Sequence, residues 1–171
     1  MTDRVLNGNT KIINGNLNSD GWIGNRGDAS GSHTARNKYG IYNVRTTNSS
    51  AGNYWHFKTN SKQNVTVDMM HVHAHGYAYG NSTIVDCHWG WHTDGGTGGI
   101  MNKSYLTNSS SGGVTANNIY PASDGYVVLV AYVPATYFTS FTFDSFQAEH
   151  YGIYDFSIIA NTFSTSNSGA Y

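Results

Sequence analysis

An all-β fold is what this chain predicts, and three observations carry that expectation. Good helix formers are scarce: its 171 residues include four Leu, one Glu, two Gln and five Lys. Strand and turn formers abound instead, with 13 Tyr, 7 Phe, 20 Gly and very frequent Asn, Ser and Thr. Third, from Lys38 onward short apolar-alternating runs recur between clusters of Gly, Asn, Ser and Asp, the pattern of a β-sandwich or barrel.

Taken in order, residues 1–32 are dense in turn formers and poor in apolar positions, and read as an appendage. A loose repeat runs through them: Leu6-Asn7-Gly8-Asn9, Ile13-Asn14-Gly15-Asn16 and Ile23-Gly24-Asn25. One apolar residue per turn signal suits a thin, extended stalk in which each chain lends one side chain per layer to a shared axis. Chance recurrence in an Asn- and Gly-rich chain explains the same pattern equally well. Residues 33–171 form the β-rich domain, with strands expected near 39–46, 53–59, 64–79, 83–92, 99–106, 114–120, 125–133, 137–146 and 153–163. Ser123-Asp124-Gly125 is the clearest turn, since Gly tolerates the positive φ of a tight hairpin. The run Tyr126-Val127-Val128-Leu129-Val130-Ala131-Tyr132-Val133 is continuously apolar and predicts a central strand covered on both faces. Residues 107–113 read as a surface loop.

The formal net charge is -1, with nine Lys and Arg against ten Asp and Glu, and charged residues are only 11% of the chain against roughly 25% in an average one. A nucleic-acid partner is not expected, because phosphate neutralisation needs surplus Lys and Arg. Membrane insertion is not expected either: no apolar run approaches the roughly 20 residues of a spanning helix, and the first nine residues lack the layout of a secretion signal. Cys87 is the single cysteine, which excludes an intrachain disulfide and a Cys-rich zinc module. Alternation places it with Val85 and Trp89 on one face, as a small buried hydrophobe. The amide- and hydroxyl-rich remainder suits contact with sugars, or with copies of the chain itself.

Two clusters could carry chemistry. In Met69-Met70-His71-Val72-His73-Ala74-His75-Gly76-Tyr77-Ala78-Tyr79-Gly80, a period of two puts His71, His73, His75, Tyr77 and Tyr79 on one strand face and Met70, Val72, Ala74 and Ala78 on the other. Alternate imidazoles are close enough for two to reach one divalent metal, iron or zinc. His88, His92, Asp86 and Asp94 of the next strand are candidates to complete the shell, or a homotrimer could do so on its axis. A simple polar strand face is the competing reading. In the second cluster, His88-Trp89-Gly90-Trp91-His92, Trp89 is expected in the core and Trp91 nearer the surface, where an indole stacks on a sugar ring. Tyr77, Tyr79, Trp91 and His92 are therefore the candidate receptor contacts.

Tyr54-Trp55-His56-Phe57-Lys58-Thr59, then Met69-Met70-His71, Gly76-Tyr77-Ala78-Tyr79-Gly80, Ile84-Val85-Asp86 and Ser123-Asp124-Gly125-Tyr126-Val127-Val128-Leu129, in that order, resemble the C-terminal receptor-binding domain of tail-fibre proteins from tailed bacteriophages, particularly marine and cyanobacterial ones. The similarity spans about residues 38–165. It implies a homotrimeric β-sandwich-like tip on a short stalk, part of the virion's tail fibre. Such a tip joins upstream fibre or tail proteins and binds a bacterial surface glycan or outer-membrane protein without catalysis. Some phage fibres also hold a metal on the trimer axis through His-x-His pairs, and His71, His73 and His75 match that pattern in type and spacing. Two other readings compete: a tailspike-like glycoside hydrolase using Asp86 with Asp94 or Asp144 with Glu149, and a cellular lectin or adhesin.

Overall fold

The computed structural model describes residues 4–6, 9–11, 16–17, 22–26, 34–46, 53–64, 68–96, 98–149 and 155–171. In chain order the strands are β1 (Arg4–Leu6), β2 (Asn9–Lys11), β3 (Asn16–Leu17), β4 (Trp22–Arg26), β5 (Thr34–Arg45), β6 (Tyr54–Lys62), β7 (Asp68–Ala78), β8 (Thr83–Asp94), β9 (Gly99–Thr107), β10 (Thr115–Pro121), β11 (Tyr126–Tyr132), β12 (Thr139–Glu149) and β13 (Ile158–Ser164). A 3-10 turn, Tyr79–Asn81, joins β7 to β8. All nine strands expected beyond residue 38 form, and their ends differ from expectation by a few residues. The largest shifts are at β5, which starts at Thr34, at β13, which starts at Ile158, and at β7, which starts at Asp68. Ahead of β13, Phe156 is fully buried in non-strand backbone, so its apolar character reports a core plug and not a strand.

Two antiparallel sheets face each other, an all-β sandwich. The larger runs β3-β4-β5-β12-β7-β8-β9 and the smaller β10-β11-β6-β13, while β1 and β2 pair as a separate ribbon. Residues 1–32 thus include two strands, β3 and β4, that extend the larger sheet outward from β5, with Trp22 opposite Lys38 and Arg26 opposite Thr34. No helix among the described residues is long and apolar enough to cross a membrane.

Aromatic side chains fill the space between the sheets. Phe57 of β6 lies 4.8 Å from Phe143 and 5.6 Å from Phe141 of β12 between ring centroids, both edge-on, and Trp55 stacks on Phe163 at 4.6 Å. Edge-on and offset pairs of this kind add to area burial because ring edges are positive and faces negative. Val85, Cys87 and Trp89 of β8 are buried as the alternation predicted, and the Trp89 Nε1–H donates to the Val130 carbonyl across the sheets at 3.1 Å.

β11 is covered on both faces, as its continuous apolar run predicted. Val127, Leu129 and Ala131 join the main core, whereas Val128 and Val130 join Tyr120 and Ala122 in a second cluster beneath Tyr54 and Tyr171. The C-terminal segment holds that second cover in place through His56. The Ser166 carbonyl can only accept, so His56 Nε2 carries the proton and donates to it at 2.9 Å. Nδ1 then accepts from the Tyr120 hydroxyl at 3.0 Å, and that hydroxyl accepts from the Ala170 N–H at 3.1 Å. Burial keeps His56 neutral by pulling its pKa below the ordinary histidine value, against the opposing pull of the Ser166 hydrogen bond. At the β10–β11 hairpin, Gly125 takes φ +81° and its N–H donates to the Ala122 carbonyl at 2.9 Å, closing the turn expected at Ser123-Asp124-Gly125.

Candidate functional site

The outward face of the larger sheet gathers the chemistry. On β7 the alternation holds: Met70, Val72, Ala74 and Ala78 are buried, while His71, His73, His75 and Tyr77 face outward. β8 runs antiparallel beside it with His73 opposite His88 and His75 opposite Asp86, and Asp86, His88 and His92 share the outward face. On the other side, β12 places Asp144 opposite His73. A three-strand register therefore brings together imidazoles and carboxylates that lie far apart in sequence.

The contacts are specific. His73 Nε2 and His88 Nε2 each lie 2.9 Å from the same oxygen, Asp86 Oδ1, and the two rings stack 4.3 Å apart within 1° of parallel. His71 faces Gly90 across the ladder and leans toward His88, with its Nε2 2.9 Å from His88 Nδ1. Opposite His71, Gly90 leaves room beside Ser104, whose Oγ would lie 2.6 Å from an added Cβ and would have to turn away. His75 Nδ1 lies 3.6 Å from Asp144 Oδ2. Asp144 is aimed by an irregularity in β5: between Tyr42, opposite Phe143, and Lys38, opposite Ser145, three β5 residues face the single Asp144. Gly40 in that bulge takes φ +62° and donates its N–H to Asp144 Oδ1 at 2.7 Å.

Charge follows this geometry. Burial raises the Asp86 carboxyl, but hydrogen bonds from His73 and His88 and the charges of both rings outweigh it, and the net shift is downward. Partial desolvation lowers His71 first, and the neighbouring His88 and His73 charges lower it further. Asp86 is thus a carboxylate at neutral pH that receives two imidazole N–H groups, and the His71–His88–Asp86–His73 chain is continuous.

For the metal ligands expected at His71, His73 and His75, the structure makes a different grouping. His73, Asp86 and His88 bring their ligand atoms within 4.8 Å of one another, as do His73, His75 and Asp144. Same-strand spacing alone cannot converge three rings, because alternate residues on a flat strand project in parallel; cross-strand partners supply the convergence. His71 belongs to neither triad and touches one of them through His88.

The expected receptor contacts do not form one patch. Tyr77 and Tyr79 lie at the β7–β8 turn, whereas Trp91 pairs with Met70 near the opposite end of the same ladder. Trp91 is only 3% exposed and packs against Phe156 at 6.1 Å, so the surface role expected for this ring does not fit its place in the core; alternation extends the buried face of Val85, Cys87 and Trp89 to it. His92 remains partly exposed beside a groove lined by Met69, Gly90, Asn102 and Ser104. At the turn end, Tyr77, Tyr79 and Tyr137 are 45%, 58% and 47% exposed, and Tyr79 and Tyr137 lie 5.8 Å apart. Phe138 beside them adopts φ +49°, a conformation bulky residues rarely take, held between Tyr137 at 4.3 Å and the Arg45 guanidinium at 4.9 Å. Next to these rings runs an open groove of about 580 Å³ lined by Asn43, Arg45, His75, Tyr77, Ser140 and Thr142. Tyr137 and Arg45 escaped the sequence reading; the available signal was Tyr137-Phe138, two adjacent aromatics three residues beyond Pro134.

The fold and this face define an all-β chain whose polar and aromatic groups lie on an open sheet surface. No family model, curated protein or solved structure matches it.

Proposed function

We propose that the chain is a non-catalytic attachment module, the receptor-binding tip of a phage tail fibre, which works as a homotrimer and binds a bacterial surface glycan. The observation that carries this reading is the exposed tyrosine set at the β7–β8 turn. Tyr77, Tyr79 and Tyr137 present ring faces for stacking on pyranose rings, and Asn43, Arg45, Ser140 and Thr142 in the adjoining groove supply donors and acceptors for sugar hydroxyls. An open groove suits a polymer that must be gripped along its length. The ordered motif resemblance to tail-fibre tips supports the same reading, and the few long aliphatic side chains support shared burial between chains.

Hydrolysis is the less favoured reading because the acids it needs are otherwise engaged. Asp86 accepts from His73 and His88, Asp94 accepts the Gly96 N–H in a turn, and Asp144 accepts the Gly40 N–H. Glu149's side chain lies outside the described residues. Light-scattering mass on the purified chain, followed by incubation with purified bacterial polysaccharides, tests the proposal. A trimer that leaves the polymer length unchanged is expected. A stable monomer, or oligosaccharide release, would overturn it.

A further inference from the structure

We propose that His73, His88 and Asp86 form a divalent-metal site of the zinc class, complete within one chain and held by two adjacent strands. The proposal stands apart from the attachment reading and needs no trimer axis. Its basis is convergence: two imidazole nitrogens lie 2.9 Å from one carboxylate oxygen, and all three ligand atoms fall within 4.8 Å of one another. Around a zinc ion with bonds of about 2.0–2.1 Å, neighbouring ligand atoms stand roughly 2.9 to 3.4 Å apart, depending on whether the angle between them is near 90° or tetrahedral. Both nitrogen–carboxylate separations already stand at the short end of that range. An ion enters as the two stacked rings rotate about their side-chain bonds to aim Nε2 at it, each ring carrying its proton on Nδ1 instead, with the strand register unchanged.

The donor set selects the ion class. Two imidazoles and one carboxylate suit zinc, iron, cobalt or nickel, whereas calcium and magnesium require oxygen shells. Three protein ligands leave coordination positions for water, and both His73 and Asp86 retain access to solvent from the sheet face. His71 supplies the outer support: with His88 bound through Nε2, His88 Nδ1–H donates to His71 Nε2 over the same 2.9 Å. The second grouping, His73, His75 and Asp144, is the weaker competitor, because the His75–Asp144 separation is 3.6 Å and the Gly40 amide already occupies Asp144 Oδ1. Both groupings use His73, so the first takes the ion.

Equilibrium dialysis of the full chain against Zn²⁺, with metal quantified per chain, and the visible spectrum of the Co²⁺ form together test the site. A single ion per chain is expected, with a cobalt d–d band. Asp86→Asn and His88→Gln should each weaken binding by ~10-fold or more, and His71→Ala by roughly 10–100-fold through loss of the outer support. His75→Gln and Asp144→Asn should leave stoichiometry and spectrum in place. Because these side chains lie on the outer sheet face, circular dichroism of each apo variant should match the parent, which separates loss of ligand from loss of fold. Failure of the parent to retain zinc, retention unchanged in Asp86→Asn and His88→Gln, or loss that instead follows His75 and Asp144 would each overturn the proposal.

Discussion

Truncating Phe57 to Ala tests the packing of the two sheets against each other. The ring is fully buried and lies within 4.8 to 5.6 Å of Phe143, Phe141 and Trp55, so it bridges the small sheet and β12 of the large one. Removing a buried phenyl ring costs about 3–5 kcal/mol in lost transfer energy and residual cavity, and edge-on aromatic pairs contribute about 0.5–1.5 kcal/mol each toward that total. In a chain of this size each kcal/mol lowers Tm by roughly 2–4 °C, so a drop of about 6–20 °C is expected. Urea unfolding followed by tryptophan fluorescence, at fixed protein concentration, reads the same loss as a lower midpoint with an unchanged slope. The half-exposed Ile159 of β13 serves as comparison: Ile159→Ala should cost under about 0.5 kcal/mol, as surface substitutions do. A Phe57→Ala variant no less stable than Ile159→Ala would refute the sandwich packing described here.

Other consequences can be measured independently. Stability should fall as pH drops below about 6.5, because His56 and His71 bind protons less readily folded than unfolded; the contribution is complete above the unfolded value and is lost as pH falls toward the folded one. Melting scans from pH 8 to 5 should show this slope, and a smaller one in His56→Gln. Asp86, shifted the opposite way relative to its charge, adds stability above about pH 3.9 that disappears on further acidification. Gly76→Ala should yield an unstable or insoluble chain, since its Cβ would sit 2.2 Å from the Ser140 carbonyl oxygen on the adjacent β12 backbone; Gly99→Ala, with nothing within 4 Å, should be tolerated. Cys87, buried and with its thiol pKa pushed up by that burial, should react with Ellman's reagent only once urea unfolds the chain.

Local patterns in the sequence anticipated much of this architecture because each depends on near neighbours. The period of two on β7 placed three histidines and a tyrosine outward, the unbroken apolar run made β11 an interior strand, and Gly125 marked a hairpin. What escaped is what depends on strand partners. Asp86 and His88 of the following strand were legible as candidates to complete a shell around these histidines, but the register that sets both His73 and His88 on Asp86 was not. Nothing in His71-Val72-His73-Ala74-His75 states that β12 flanks it on the other side and brings Asp144. Gly40, three residues beyond Asn37, carries no motif; its role as the bulge that aims Asp144 appears only with the register of β5 on β12. Trp91 illustrates a different limit. Nearness to a Gly-rich loop suggested exposure, but the parity that buries Cys87 and Trp89 extends to it, and the unanticipated packing of Phe156 encloses the ring.

Attachment through the tyrosine end is the central claim, and binding of the purified chain to an array of bacterial surface polysaccharides tests it most directly, with Tyr79→Ala and Tyr137→Ala beside the parent. The account predicts that the parent retains at least one polysaccharide, and that both variants lose it while keeping the parent's melting temperature, because the two rings are largely exposed and carry little of the core. Binding that survives both substitutions undiminished, or a parent that retains no polysaccharide, would contradict it.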